Sequence, residues 1–200
     1  MGVQAGVSEP VVRCVWAAGS ELEERYHDQE WGVPQRDPRV LFEFLVLEGA
    51  QAGLSWRTVL NKRDRYREVF DGFDPNCIAR YDDRKTAELL ADPGIIRNRA
   101  KVAAAVTNAR AWLTLSDETG DVASWLWSFV DGTPRQPRRT CGDPWMATSA
   151  DSDALSTALK QRGFTFVGST IVYAYLQACG FVNDHPIECF RHAPCAALAR

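Results

Sequence analysis

Two groups of residues in this chain have types and spacings that could do chemistry. The first centres on Glu48. Leu41, Phe44, Leu45, Glu48 and Ala52 fall at i, i+3, i+4, i+7 and i+11, which sets a carboxylate inside an apolar helical stripe. An ionised group is costly there unless something compensates it. Trp56 follows eight residues later, past Gly49 and Gly53. A carboxylate in want of a positive charge, near an indole in want of a flat partner, describes a pocket for an aromatic cation. The competing reading is structural: Glu48 pairs with an arginine, and Trp56 is ordinary core.

The second group is Cys14 and His27, with twelve residues between them, and the H-x3-C pair His185 and Cys189. Two cysteines and two histidines complete a closed tetrahedral Zn²⁺ shell, the pattern of structural zinc. Such a site would join the two ends of the domain and stabilise the folded form. The plainer alternative is a buried thiol and locally satisfied histidines. His192 and Cys195 are rival ligands near a chain end expected to fray.

These residues need elements to hold them. Periodicity of 3.6 recurs, whereas alternating β-branched runs are short, so the fold class is all-α. The pattern places helices at about 21–31, 38–52, 55–70, 75–80, 83–91, 96–115, 121–130, 151–162 and 166–179. Asp37-Pro38 and Asp74-Pro75 are start signals, and Gly163 and Gly180 stand where helices end. The segment from Asp131 to Ala150, rich in Pro, Gly, Arg and Thr, reads as a long surface loop. The expected organisation is one domain over 11–190, with tails at 1–10 and 191–200.

Between two of these helices lies Asp92-Pro93-Gly94-Ile95-Ile96-Arg97-Asn98-Arg99-Ala100-Lys101. Pro-Gly makes a turn, and the next helix opens with basic residues around free backbone N–H groups. Gly94, Arg97, Arg99 and Lys101 therefore form a candidate phosphate contact. The net charge of −3 argues against a uniformly basic nucleic-acid binder, but placement matters more than the sum. Basic residues also cluster at Lys62-Arg63-Arg65-Arg67 and Arg135-Arg138-Arg139; these read as solvated faces.

No run approaches the roughly 18 apolar residues of a membrane span. Met1 to Pro10 has neither a basic start nor an apolar core, so it reads as a tail rather than a signal. The six scattered cysteines then point to reduced thiols in the cytoplasm. A monomer is expected.

Arg13-Cys14-Val15-Trp16, the run from Tyr26 to Pro34, Leu47 to Trp56, Arg162 to Gly168 and Gln177 to His185 together resemble the 3-methyladenine DNA glycosylase I family. The likeness runs in order from about Cys14 to Cys189. It implies a helix-hairpin-helix repair enzyme, with the hairpin at about 88–112, that removes 3-methyladenine from alkylated double-stranded DNA. It also implies a structural zinc on Cys14, His27, His185 and Cys189. Glu48 would be the catalytic and base-binding carboxylate, Trp56 the stacking residue, and Tyr26 and Trp16 the pocket lining. The sequence departs from the wider superfamily in two places. Ile96 stands where a second hairpin glycine is expected, and Asp117, Asp121 and Asp131 lack the pattern around a catalytic aspartate. No lysine stands out as an amine nucleophile, so the expected reaction is monofunctional hydrolysis. The alternatives are a relaxed alkylpurine specificity, a zinc-stapled DNA-binding module without catalysis, and a zinc hydrolase, which the closed ligand shell disfavours. Cys77, Cys141 and Cys179 receive no role.

Overall fold

The computed structural model describes residues 11–199. Among them there is no strand, only an isolated parallel bridge between Arg135 and Val182. A 3-10 turn at Val15–Gly19 leads into α1 (Glu21–Gln29), α2 (Pro38–Gln51), α3 (Trp56–Leu60), α4 (Arg63–Val69) and α5 (Pro75–Ile78). The hairpin helices are α6 (Asp83–Ala91) and α7 (Arg99–Thr119); α8 (Val122–Trp127), α9 (Ala150–Gln161), α10 (Ser169–Ala178) and α11 (His192–Ala197) complete the chain.

Local chemistry sets most of these boundaries. Asp37 accepts from the N–H of Arg39 at 2.8 Å and of Val40 at 3.2 Å, and Pro38 occupies the first turn of α2. Asp74 and Pro75 repeat the device at α5, and Ser149 and Ser152 form a reciprocal capping box at α9. The hairpin helix begins at Arg99 rather than 96, because the Asn98 side chain accepts from the N–H of Lys101.

Three elements differ from the periodicity reading. The 55–70 helix is two, α3 and α4, broken at Asn61–Lys62; the Lys62 amine reaches the carbonyl of Pro93 at 2.7 Å. The segment from 191 onward, read as a tail, contains α11 and buries Cys195, which periodicity over six residues was too short to reveal. Most consequential is α2, which is no one-sided amphipathic helix. Every residue from Leu41 to Ala50 is buried, including Glu43 and Glu48. A helix enclosed on all sides is the core of its domain. It packs against α3, α7, α8 and α10.

Gly180, at φ +69°, ends α10 against the turn after α1. A Cβ there would lie 2.4 Å from the backbone of Val33 and Pro34, so only glycine allows the approach. Backbone bonds from Gly32 N–H to Gln177 O (3.2 Å) and Gln35 N–H to Cys179 O (2.9 Å) lock that contact. The N-terminal segment carrying Trp16 and Tyr26 is thereby held beside α10.

Candidate active site

Glu48 lies in α2 with 4% of its surface exposed. Its Oε2 has no hydrogen-bond partner, and among the described residues no arginine or lysine pairs with it. The buried Arg63 is engaged elsewhere, bonding Glu43 at 2.7 Å and Glu30 at 2.6 Å. Arg67 also bonds Glu43, and Arg65 bonds Asp92 and Glu68. Of the basic run at 62–67, read as a solvated face, Arg65 and Arg67 are exposed as expected, and Arg63 departs from it, buried between Glu30 and Glu43. Burial alone pushes the Glu48 carboxyl up to about 8. At neutral pH that shift favours its protonated form.

Glu48 opens into a cavity of about 310 Å³, which it shares with Trp16, Tyr26, Trp31 and Trp56. Trp56 and Tyr26 lie 5.3 Å apart between ring centroids, and Trp16 lies 6.2 Å from Tyr26 and 5.2 Å from Trp31. The Trp56 Nε1 is buried without a partner. Burial, then the neighbouring Glu48, raises the Tyr26 phenol well above its ordinary value, so it stays protonated and can donate. An orphaned carboxyl and an orphaned indole N–H at the same opening are what a ligand with complementary groups would satisfy. The sequence-predicted base residues Glu48, Trp56, Tyr26 and Trp16 thus meet at one cavity.

Sequence reasoning missed Trp31, Gln51, Trp145 and Gln177, which also border it. Trp31 lay inside a run already singled out, and Gln51 is one turn after Glu48. Trp145 sits in the 131–150 loop over Arg139, with the guanidinium 3.7 Å from its ring centroid. No periodic signal could have found it. A neighbouring recess of about 300 Å³ shares Glu48 and Gln51 and reaches the Gly53–Leu54 turn, where Leu54 is 42% exposed.

The second predicted group also assembles. Cys14, His27, His185 and Cys189 are all buried, and their ligand atoms lie within 4.8 Å of one another. Cys189 Sγ is 3.4 Å from His27 Nε2 and 3.5 Å from His185 Nδ1, and Cys14 Sγ is 3.5 Å from His185 Nδ1. Tetrahedral Zn–S and Zn–N bonds imply S···N edges of about 3.6 Å, so the cluster fits. The outer nitrogens are also fixed: His27 Nδ1 meets Asp28 Oδ1 at 2.8 Å, and His185 Nε2 meets the Trp31 carbonyl at 3.2 Å. That is the outer shell a metal-bound imidazole needs. The rivals His192 and Cys195 are outside the cluster.

The hairpin is braced from behind. The Gly94 N–H donates to Asp92 Oδ1 at 2.7 Å, and a Cβ on Gly94 would lie 2.5 Å from Arg65 Cγ. Ile96, in the second glycine position, turns its N–H inward to the Tyr66 hydroxyl at 3.1 Å. Arg97 and Arg99 are exposed. Lys101 differs from the phosphate-contact reading: its amine donates to the carbonyls of Ala50 (2.8 Å) and Ala52 (2.7 Å) at the end of α2. A cation at a helix C-terminus is favourably placed. Lys101 therefore ties the hairpin to the turn between Glu48 and Trp56. Two of the three aspartates after the hairpin do structural work, Asp121 capping α8 and Asp131 pairing with Arg135.

The chain matches the Methyladenine glycosylase family over residues 16–192, and it belongs to that family. It is 47% identical over 177 residues to DNA-3-methyladenine glycosylase 1 of Escherichia coli (strain K12), which spans 88% of this chain and 95% of that protein. A crystal structure of a 3-methyladenine DNA glycosylase I superposes with a TM-score of 0.87 at 50% identity, covering 90% of this chain and 98% of that one. The Staphylococcus aureus 3-methyladenine DNA glycosylase I, solved to explain 3-methyladenine recognition, gives a TM-score of 0.86 at 33% identity, covering 89% and 95%.

Two predictions follow from the geometry. An acid whose folded pKa is raised contributes fully to stability only below its unfolded value, 4.5, and the contribution is lost as pH climbs toward 8. Glu48→Gln cannot ionise, so at pH 8 its Tm exceeds the wild type's by about 5 °C or more, and the gap closes near pH 4 on thermal scans. Lys101→Met leaves the salt dependence of duplex binding unchanged, whereas Arg99→Met lowers the slope by about 1 on fluorescence titration across salt.

Proposed function

We propose that this protein is a monofunctional DNA glycosylase that hydrolyses the N-glycosidic bond of 3-methyladenine in alkylated double-stranded DNA. The observation that carries the reading is Glu48, buried without a counterion at an aromatic cavity. Its relatives' names support the same substrate. A structure of a 3-methyladenine DNA glycosylase I variant with 3-methyladenine bound, at a TM-score of 0.86, supports it too.

Methylation at N3 makes the nucleobase cationic. When the bond between the sugar C1′ and N9 breaks, its electron pair goes to the base, which leaves neutral. Water then forms the new C1′–O bond and loses a proton. The leaving group is good already, so no strong general acid is required. The chain's task is to take the nucleotide out of the stack, hold the cation and admit water. In this reading Trp56, Tyr26 and Trp16 sandwich and edge the base. Glu48 gives up its proton when the cation arrives and accepts hydrogen bonds from the base. The neutral adenine of undamaged DNA offers that carboxyl no charge with which to expel the proton, so it is discriminated against. Arg97, Arg99 and the N–H groups at the start of α7 hold the DNA backbone, and the exposed Leu54 beside Gly53 fills the gap left in the duplex.

The Cys14, His27, His185 and Cys189 cluster would hold a zinc ion in a structural role, and the ion would join the segment before α1 to the segment after α10. The six free cysteines support a reducing cytoplasmic setting, and the protein acts as a monomer. No helix among the described residues is long and apolar enough to cross a membrane.

Release of 3-methyladenine from methylated DNA by the wild type, reduced at least about 100-fold in Glu48→Gln by the loss of a charge-assisted contact, is the expected result of a chromatographic excision assay. Equal rates would leave the carboxylate without a role. For the metal, emission spectrometry of freshly purified protein is expected to give about one zinc per chain. Cys189→Ala is expected to lower Tm more than it lowers excision measured well below that Tm.

A further inference from the structure

Gln177 stands one turn after Ala174 on α10, and both border the base cavity. Its amide Nε2 donates to Asp184 Oδ2 at 2.6 Å. Asp184 is 2% exposed, and the same Oδ2 faces the Arg139 guanidinium and the Tyr173 hydroxyl, each at 3.4 Å. An oxygen met by a guanidinium, a phenol and an amide is an acceptor. The orientation of the Gln177 amide is therefore fixed. Flipped, it would set two acceptor oxygens 2.6 Å apart. With one N–H of the NH2 group held by Asp184, the Oε1 end has no donor among the described residues and is left for the cavity.

The cavity so acquires a second acceptor unlike the first. Glu48 is ambiguous near neutral pH, because burial keeps a proton on it that it can donate as readily as its oxygens accept. Gln177 Oε1 can only accept. At purine position 6, adenine carries an amino donor, whereas guanine and hypoxanthine carry a carbonyl acceptor. A carbonyl set against Oε1 leaves two desolvated acceptors facing each other, the arrangement by which a polar site rejects a close analogue.

We propose that Gln177, its amide orientation locked by Asp184, is a specificity-determining residue that accepts a hydrogen bond from the exocyclic amino group of the flipped adenine and so rejects 6-oxopurines. The assignment rests on the base-excision reading above.

The test measures release of 3-methyladenine and 3-methylguanine from methylated DNA by wild type and Gln177→Met, which keeps the side-chain length and removes the acceptor. The expected result is a fall of about 10-fold in 3-methyladenine release with 3-methylguanine release undiminished, so the selectivity ratio shrinks by about 10-fold. An equal fall for both bases, or an unchanged ratio, overturns the proposal. A second measurement does not depend on that variant folding. In Glu48→Gln protein, free 3-methyladenine should bind at least about 5-fold more tightly than free 3-methylhypoxanthine by tryptophan fluorescence. Equal affinities overturn the assignment. A wild type that releases no methylated base defeats the excision reading instead, and the free-base comparison then decides Gln177 by itself.

Discussion

The structure depends on keeping one carboxyl group buried where no cation answers it. Glu48 lies inside a helix buried on every side, and its neighbour on that helix, Glu43, shows what the ordinary solution looks like. Glu43 is met by Arg63 and Arg67. Glu48 is met by nothing, and its acidity shifts accordingly. Two glutamates five residues apart on one helix therefore have opposite fates, set by which way each faces. The unanswered one faces the aromatic cavity. Such a group weakens the fold, and proteins tolerate that where the unsatisfied atom serves a ligand.

The rest of the molecule holds the walls of that cavity still. Its lining comes from segments far apart in sequence: the turn before α1, α1 itself, α2, the start of α3 and α10. The Cys2His2 cluster draws the first of these to the segment after α10. Gly180 lets the end of α10 touch the Val33–Pro34 backbone, and a hydrogen bond ties His185 to the Trp31 carbonyl. Trp31 is thus both a wall of the cavity and a support of the metal site. From the other side Lys101 fastens the hairpin to the carbonyls that follow Glu48. The element that would grip the backbone and the element that would hold the base are joined by one ammonium group.

How much of this the sequence disclosed follows from the range of each signal. Glu48 and Trp56 were legible because an acid in an apolar period is a local anomaly. The caps at Asp37 and Asp74 were legible because capping chemistry acts over three residues. Cys14, His27, His185 and Cys189 were readable as candidate ligands, but spacing across more than 150 positions left them in two separate pairs that only the fold brings into one cluster. Arg63 departs from the solvated-face reading of Lys62 to Arg67 because composition does not reveal which carboxylates the fold brings near. Lys101 looked like a phosphate ligand for the same reason. Trp145 carried no signal, since it lies in an aperiodic loop; Gln177 lay in a run that carries the family likeness but reads as a plain helical polar residue until Asp184 is placed beside it.

The central claim concerns the proton on Glu48, and the most direct measurement follows that proton by carbon-13 NMR of the side-chain carboxyl. The titration is done in the free protein and in the presence of 3,9-dimethyladeninium, a fixed cation that cannot be hydrolysed. The account predicts an apparent pKa of about 8 in the free protein, falling below neutrality when the cation binds, with a proton released at pH 7. A carboxyl that titrates in the ordinary range in the empty pocket, or one unmoved by the cation, would contradict it.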